Sequence, residues 1–274
     1  DLLYAELRKI KKSDAEMLRG QACAVANNGD LARAATMLRR SFRLSPADTA
    51  AKLNLGKIYQ TQNRFKDAEK MMRDILKDEP NNVAAIIFLV QSIERVQSEA
   101  SIDKTSNEKG KTEFSNDAES LKLIKHGLKY DPKNPALWFQ LATMLSNDQK
   151  DFKEADNAYK KALKFNPNSA ASLNNYGRFK RLNFDLDGAR KLLHKACELK
   201  PDHTDFAFSL ALCYVSMEDI PSAKKWLKKA IKLNPNNTSG QIYLAFLAFL
   251  EGKMRHGWKL YEKRLELDEF KSLS

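Results

Sequence analysis

Three cysteines and four histidines are the residues of this chain best suited to nucleophilic, acid–base or metal chemistry, and none stands at a spacing that such chemistry uses. Cys23, Cys197 and Cys213 lie far apart and form no CxxC pair, while His126, His194, His203 and His256 form neither HExxH nor any other ligand pair. No zinc site or disulfide framework is expected, and an odd, low cysteine count fits a reducing compartment. The sequence has no glycine-rich phosphate loop, no GxSxG elbow and no carboxylate pair placed to shift its own acidity. It therefore predicts no catalysis and calls for no cofactor or metal within these residues. What remains is amides, aromatic rings and lysines, which bind through hydrogen bonds, apolar contact and charge.

The elements that position those groups follow from composition and period. Of 274 residues, 43% are hydrophobic and 30% charged, with only ten Gly and eight Pro and no β-branched alternating run, so the class is all-α. A proline follows Asp, Asn, Ser, Glu or Lys at Pro46, Pro80, Pro132, Pro167, Pro201 and Pro235, at gaps of 34, 52, 35, 34 and 34. With the proline numbered 32, position 8 is small in six of seven repeats (Ala22, Gly56, Ala142, Gly177, Ala211 and Ala245, against Val90). Position 20 is small in all seven, from Ala34 and Ala68 through Ser120 to Gly257. Positions 7 and 24 are large, as at Leu55, Leu210, Leu193 and Tyr261. Two helices that cross closely need the small pair, and the large pair fills the space between neighbouring hairpins.

A 34-residue period with small, large and aromatic residues at these offsets resembles the tetratricopeptide repeat family along nearly the whole chain. The resemblance implies a right-handed superhelical solenoid of antiparallel helix pairs, with repeats at 15–48, 49–82, 83–134, 135–169, 170–203, 204–237 and 238–271. Residues 1–14 carry Tyr4 and Leu7 at the offsets of positions 24 and 27, and read as the second helix of a truncated preceding repeat. Repeat three is 18 residues too long, and the surplus, about 97–115, is polar and weakly periodic, so a flexible loop is expected there. Asn81, Asn134, Asn168 and Asn236 suit the turns between repeats.

The same resemblance implies that first helices line an inner surface at positions 2, 5, 6, 9, 12 and 13. Those positions give Asn54, Lys57, Phe88, Gln91, Phe139, Gln140, Asn174, Asn175, Arg178 and Phe208 as a peptide-binding groove. Repeat seven supplies Ile242, Tyr243, Phe246, Phe249 and Leu250, a terminal apolar docking patch. A carboxylate clamp for heat-shock protein tails is excluded, because Cys23, Ala84 and Phe88 stand where Asn, Lys and Arg are needed, although Arg19 and Asn54 match.

The expected function is a non-catalytic scaffold or adaptor for a protein or extended peptide. In the last repeat Gly257, Trp258, Tyr261, Glu262 and Arg264 resemble a GW..YE.R terminal repeat of bacterial proteins that continue into a glycosyltransferase-like domain. This gives the alternative of a substrate-recognition arm of a transferase. A second alternative is an assembly subunit that self-associates through uncapped ends of the array, with repeat seven as a contact for a second copy or for a downstream domain. The net charge of +12 raises nucleic acid as a partner, but Lys224, Lys225, Lys228, Lys229 and Lys232 fall on a second helix, away from the inner surface, so no specific nucleic-acid site is expected. No run of 18 apolar residues is present, and an intracellular, cytoplasmic location is expected. The chain starts without methionine, which suggests a fragment or processed form.

Overall fold

The computed structural model describes residues 2–103, 109–147 and 152–262. Among them are fourteen α-helices and no strand. They are α1 (Leu2–Asn27), α2 (Leu31–Leu44), α3 (Thr49–Thr61), α4 (Phe65–Asp78), α5 (Val83–Asp103), α6 (Lys109–Tyr130) and α7 (Pro135–Asn147). The second half holds α8 (Phe152–Phe165), α9 (Ala170–Leu182), α10 (Leu186–Leu199), α11 (Thr204–Ser216), α12 (Ile220–Leu233), α13 (Thr238–Leu250) and α14 (Met254–Tyr261). None of the described helices is long and apolar enough to cross a membrane. The chain divides into two compact units, Asp1–Met144 and Leu145–Ser274.

Helix starts are set by side chains that satisfy the free backbone N–H groups of the first turn. Asp30, Asp48, Ser169, Asp185, Asp219 and Asn237 each accept a hydrogen bond from the N–H three residues on. Between repeats the capping residue is Asp48, Asn82, Asn134, Ser169 or Asn237, so only Asn134 of the four turn asparagines expected from the sequence does this. Asn81, Asn168 and Asn236 each precede the cap by one residue. Inside the hairpins, position 15 is left-handed in five repeats, at Gly29, Asn63, Phe184, Glu218 and Gly252. Glycine takes that backbone freely and Phe184 does not.

In the first unit, α1–α2, α3–α4 and α5–α6 pack as pairs, and each pair packs on the next. Ala22 and Ala34 let α1 and α2 approach, and Leu38 joins a core with Leu55, Ile58 and Tyr59 of the following repeat. The next junction repeats the scheme, with Met72 and Ile75 against Ala85, Leu89 and Ile93. In the second unit, Leu193, Ala196 and Cys197 of one repeat meet Phe206, Leu210 and Cys213 of the next. Leu227 and Leu247 mark the last such junction. Each large side chain buried in this way contributes about 1.5–3 kcal/mol, part of it supplied by the neighbouring hairpin.

Two expectations are corrected here. Residues 2–12 are not a separate second helix, because α1 is one helix of 26 residues running through to Asn27. No Pro or Gly interrupts Lys11–Met17, so nothing ends the helix before repeat one begins. The surplus of repeat three is helical on both sides, since α5 continues to Asp103 and α6 begins at Lys109. Between Gln97 and Lys109 there is no proline or glycine, and polar composition alone does not stop a helix. Residues 104–108 of that expected loop lie outside the described residues.

Candidate binding surfaces on the first helices

In the first unit, α1, α3 and α5 lie side by side, and the side chains at positions 6, 9 and 12 bridge them. The Asn54 amide donates to Cys23 Sγ at 3.3 Å, linking position 6 of one repeat to position 9 of the repeat before. Lys57 Nζ sits 5.1 Å above the Phe88 ring. Gln60, which the sequence reading passed over, donates to the Phe88 carbonyl at 2.9 Å and to Ser92 Oγ at 2.8 Å. Its position 12 was a signal, but the partners lie one repeat away and no local pattern names them. Arg19 bonds both oxygens of Asp48 at 2.6 Å and is committed to its own fold. Gln91 and Phe139 are half-buried.

Gln140 and Asn174 depart from the expectation of open amides: they are only 4% and 5% exposed. Positions 5 and 6 face the crevice between adjacent first helices, whereas position 9 carries the more open side chains Cys23, Lys57 and Arg178. Helical periodicity gives the direction of a side chain and leaves its depth open. Asn174 Nδ2 donates to Asn175 Oδ1 at 3.3 Å, and its own Oδ1 has no partner. A buried amide oxygen without a donor is costly, so this crevice has unused hydrogen-bonding capacity next to half-buried Asn175 and exposed Arg178.

Further along the second unit the inner side chains are rings. Phe208 meets Tyr243 edge-on at 5.6 Å, Tyr243 meets Phe246 at 6.4 Å, and Phe246 meets Tyr261 at 5.8 Å. This aromatic row brings together three residues predicted from the sequence and adds Tyr261. Ile242 is half-buried, and Phe246 and Leu250 are exposed. Phe249 does not join them at the surface: its ring covers Gly257 inside the last hairpin and lies 5.2 Å from Trp258. The absent Cβ of Gly257 is what admits the ring.

A polar hub fixes the junction of repeats four and five. Asp156 accepts from the Tyr176 hydroxyl at 2.7 Å and pairs with Lys160 at 2.7 Å and Lys180 at 2.9 Å. Burial works to raise the pKa of this carboxyl, but the bonds from Lys160, Lys180 and Tyr176 outweigh it and hold it down at about 2. Burial and the same carboxylate push the Tyr176 phenol upward. The buried thiols of Cys197 and Cys213 are also raised by burial, Cys197 to about 11, while Cys23 is exposed. Among the described residues no group of three His, Cys, Asp or Glu is placed to hold a metal ion. On α12, Lys225, Lys228 and Lys232 are exposed, while Lys224 pairs with Glu251 and Lys229 lies over the Trp226 ring.

Stacked helix pairs with small residues at the crossing and ring or amide side chains on the first helices define a helical-repeat protein. Family models described as tetratricopeptide repeat match residues 26–89 and 181–248, and another with the same description matches 135–169, together more than half of the chain. The chain belongs to the tetratricopeptide repeat family. It is 22% identical over 218 residues to the human "Protein O-mannosyl-transferase TMTC3", a match that covers 79% of this chain and 20% of that protein. The chain thus spans about a fifth of the length of the curated relatives that it matches. Among solved structures it resembles a tetratricopeptide repeat protein from Parabacteroides merdae, with a TM-score of 0.64 at 15% identity over 93% of this chain and 94% of that one. It also resembles a chain of the APC/C hetero-tetramer Cut9–Hcn1, with a TM-score of 0.71 at 15% identity over 86% of this chain and 44% of that one.

Proposed function

We propose that the chain is a non-catalytic scaffold that holds a peptide or protein segment against its first helices. The observation that carries this reading is the half-buried Asn175 amide on the same helix, α9, as exposed Arg178 and joined to the buried Asn174 amide. Asn175 and Arg178 are the polar groups there that a peptide backbone can reach, and the aromatic row from Phe208 to Phe246 suits apolar side chains of the same ligand. Asn54, Lys57, Phe88 and Gln91 form the corresponding surface of the first unit, with Phe139 and Gln140 contributing mainly to packing. The test is capture of partners by the chain bearing Asn175→Ala and Arg178→Ala, which leaves buried Asn174 and the core in place. Unchanged capture with unchanged helicity overturns the assignment of this surface. An intracellular location accords with the scattered cysteines.

A second reading is favoured by one comparison. The similarity to a protein O-mannosyl-transferase, together with Trp258 and Tyr261 of the terminal motif, supports a substrate-recognition arm of a transferase whose catalytic domain lies elsewhere in the same polypeptide. Sequencing the gene on both sides of these residues decides it: stop and start signals with no catalytic domain between them refute the arm.

A further inference from the structure

The turn between α9 and α10 holds two large apolar side chains in water. Phe184 stands at position 15 with a φ of 62°, and its ring is 89% exposed, more than any other large apolar side chain among the described residues. The left-handed backbone there suits Gly29 and Gly252 of other repeats and crowds the Cβ of a bulky residue. Leu182, two residues earlier and the last of α9, is 66% exposed. Hydrogen bonds fix this turn on both sides. The Asn183 amide donates to the Phe179 carbonyl at 2.8 Å, the Phe184 N–H donates to the Arg181 carbonyl at 3.1 Å, and Asp185 caps α10. A ring kept in water on an unfavourable backbone and a fixed turn is the form that a docking anchor takes.

Charge at the same place is one-sided. Leu182 follows exposed Arg178 by one turn of α9, so the two share a face, and half-buried Arg181 precedes Leu182 directly. Of the nearby carboxylates, Asp185 pairs with Lys180 at 3.1 Å and Asp187 with Arg190 at 3.4 Å. Among the described residues Arg178 and Arg181 pair with no carboxylate, and Arg181 gives a single bond, 3.3 Å to Ser216 Oγ. A guanidinium offers five N–H donors in a plane that matches a carboxylate. The turn is internal to the second unit, with α8 before it and α10 to α14 after it.

We infer that this turn is a contact surface beyond the amides and rings of the first helices, sharing only Arg178 with them, and that it receives an acidic, apolar segment of a partner protein. Leu182 and Phe184 take apolar side chains of that segment, and Arg178 takes an Asp or Glu between them. Charge complementarity sets the sign of the occupant. An aliphatic side chain beside the ring favours a peptide over single-stranded nucleic acid, whose successive bases stack on aromatic faces. Two apolar side chains on one turn are also too few for a membrane surface, which a long apolar helix face engages.

Selection of phage-displayed random peptides on the 274-residue chain tests this, with affinities of the enriched peptides measured by fluorescence anisotropy. Enriched peptides are expected to carry Asp or Glu among Leu, Phe or Trp. Their affinity should fall by about thirtyfold with Phe184→Gly and by about tenfold with Arg178→Glu. Lysine in place of the acidic residues of a peptide should restore binding to the Arg178→Glu chain. Phe184→Gly relieves the backbone, so its loss of binding does not come from unfolding, and Leu182→Ser repeats that arm. Enrichment of peptides without acidic residues overturns the inference, as does failure to enrich any. Peptides that lose affinity with Asn175→Ala and keep it with Phe184→Gly overturn it too, and leave the first-helix surface standing. So does Phe184-dependent binding to anionic phospholipid vesicles or single-stranded RNA in place of such peptides.

Discussion

Two glycines inside helices should respond to the same substitution with opposite signs. Gly177 is at position 8, where α9 crosses α10, and a Cβ added there meets Leu193 Cγ at 2.6 Å, Leu193 Cδ2 at 2.9 Å and the Ala189 carbonyl at 3.3 Å. Leu193 is fully buried and cannot swing away, and the carbonyl belongs to the backbone of α10. Overpacking of this kind costs about 1–3 kcal/mol. Gly20 lies in the interior of α1 with nothing within 4 Å of its added Cβ. Alanine in a helix is favoured over glycine by about 0.8–1.0 kcal/mol, and both sites receive that gain. Gly20→Ala should therefore stabilise by nearly the full propensity term, while Gly177→Ala should be neutral to destabilising by about 2 kcal/mol. Thermal melting by circular dichroism gives the order of the two variants, and hydrogen exchange of the α9 and α10 amides localises the loss. If Gly177→Ala is as stabilising as Gly20→Ala, the close crossing of α9 and α10 is wrong.

Two more outcomes follow from single residues. Phe184 has φ of 62° and is 89% exposed, so Phe184→Gly relieves backbone strain without loss of packing and should raise stability by about 1 kcal/mol, measured by chemical denaturation. Asp156 has its folded pKa depressed to about 2, so the stability it contributes is present above the ordinary carboxylate value near 4 and is lost as pH falls toward 2. Asp156→Asn should flatten the pH dependence of α8 and α9 protection over that window, and an unchanged profile would place the acid sensitivity elsewhere.

Much of the fold could be read from side-chain size at fixed offsets. Ala34, Gly56, Gly177 and Gly257 mark helix crossings, and the starts of α3, α5, α7, α9, α11 and α13 coincide with the repeat starts at Thr49, Val83, Pro135, Ala170, Thr204 and Thr238. Helix lengths outside the period were not legible. The continuity of α1 and the extension of α5 depend on the absence of a breaker, which a search for repeats does not weigh. The candidate surface was legible in direction only. Gln140 and Asn174 point between first helices, and how deeply they sink is set by the approach of a neighbouring repeat, a distance that no residue encodes alone. Phe249 illustrates the converse, since an apolar ring at an inner position was drawn into its own hairpin by the hole that Gly257 leaves.

The three thiols differ in a way that has a practical consequence. Cys197 and Cys213 are buried with their ionisation pushed upward, whereas Cys23 is exposed on α1 at the Asn54 amide. A maleimide or iodoacetamide reagent at neutral pH should therefore modify one position out of three, because alkylation needs a reachable thiolate. The chain carries a built-in attachment point for a fluorophore on a first helix, and arrival of a ligand near Asn54 would be reported by light without any engineered residue.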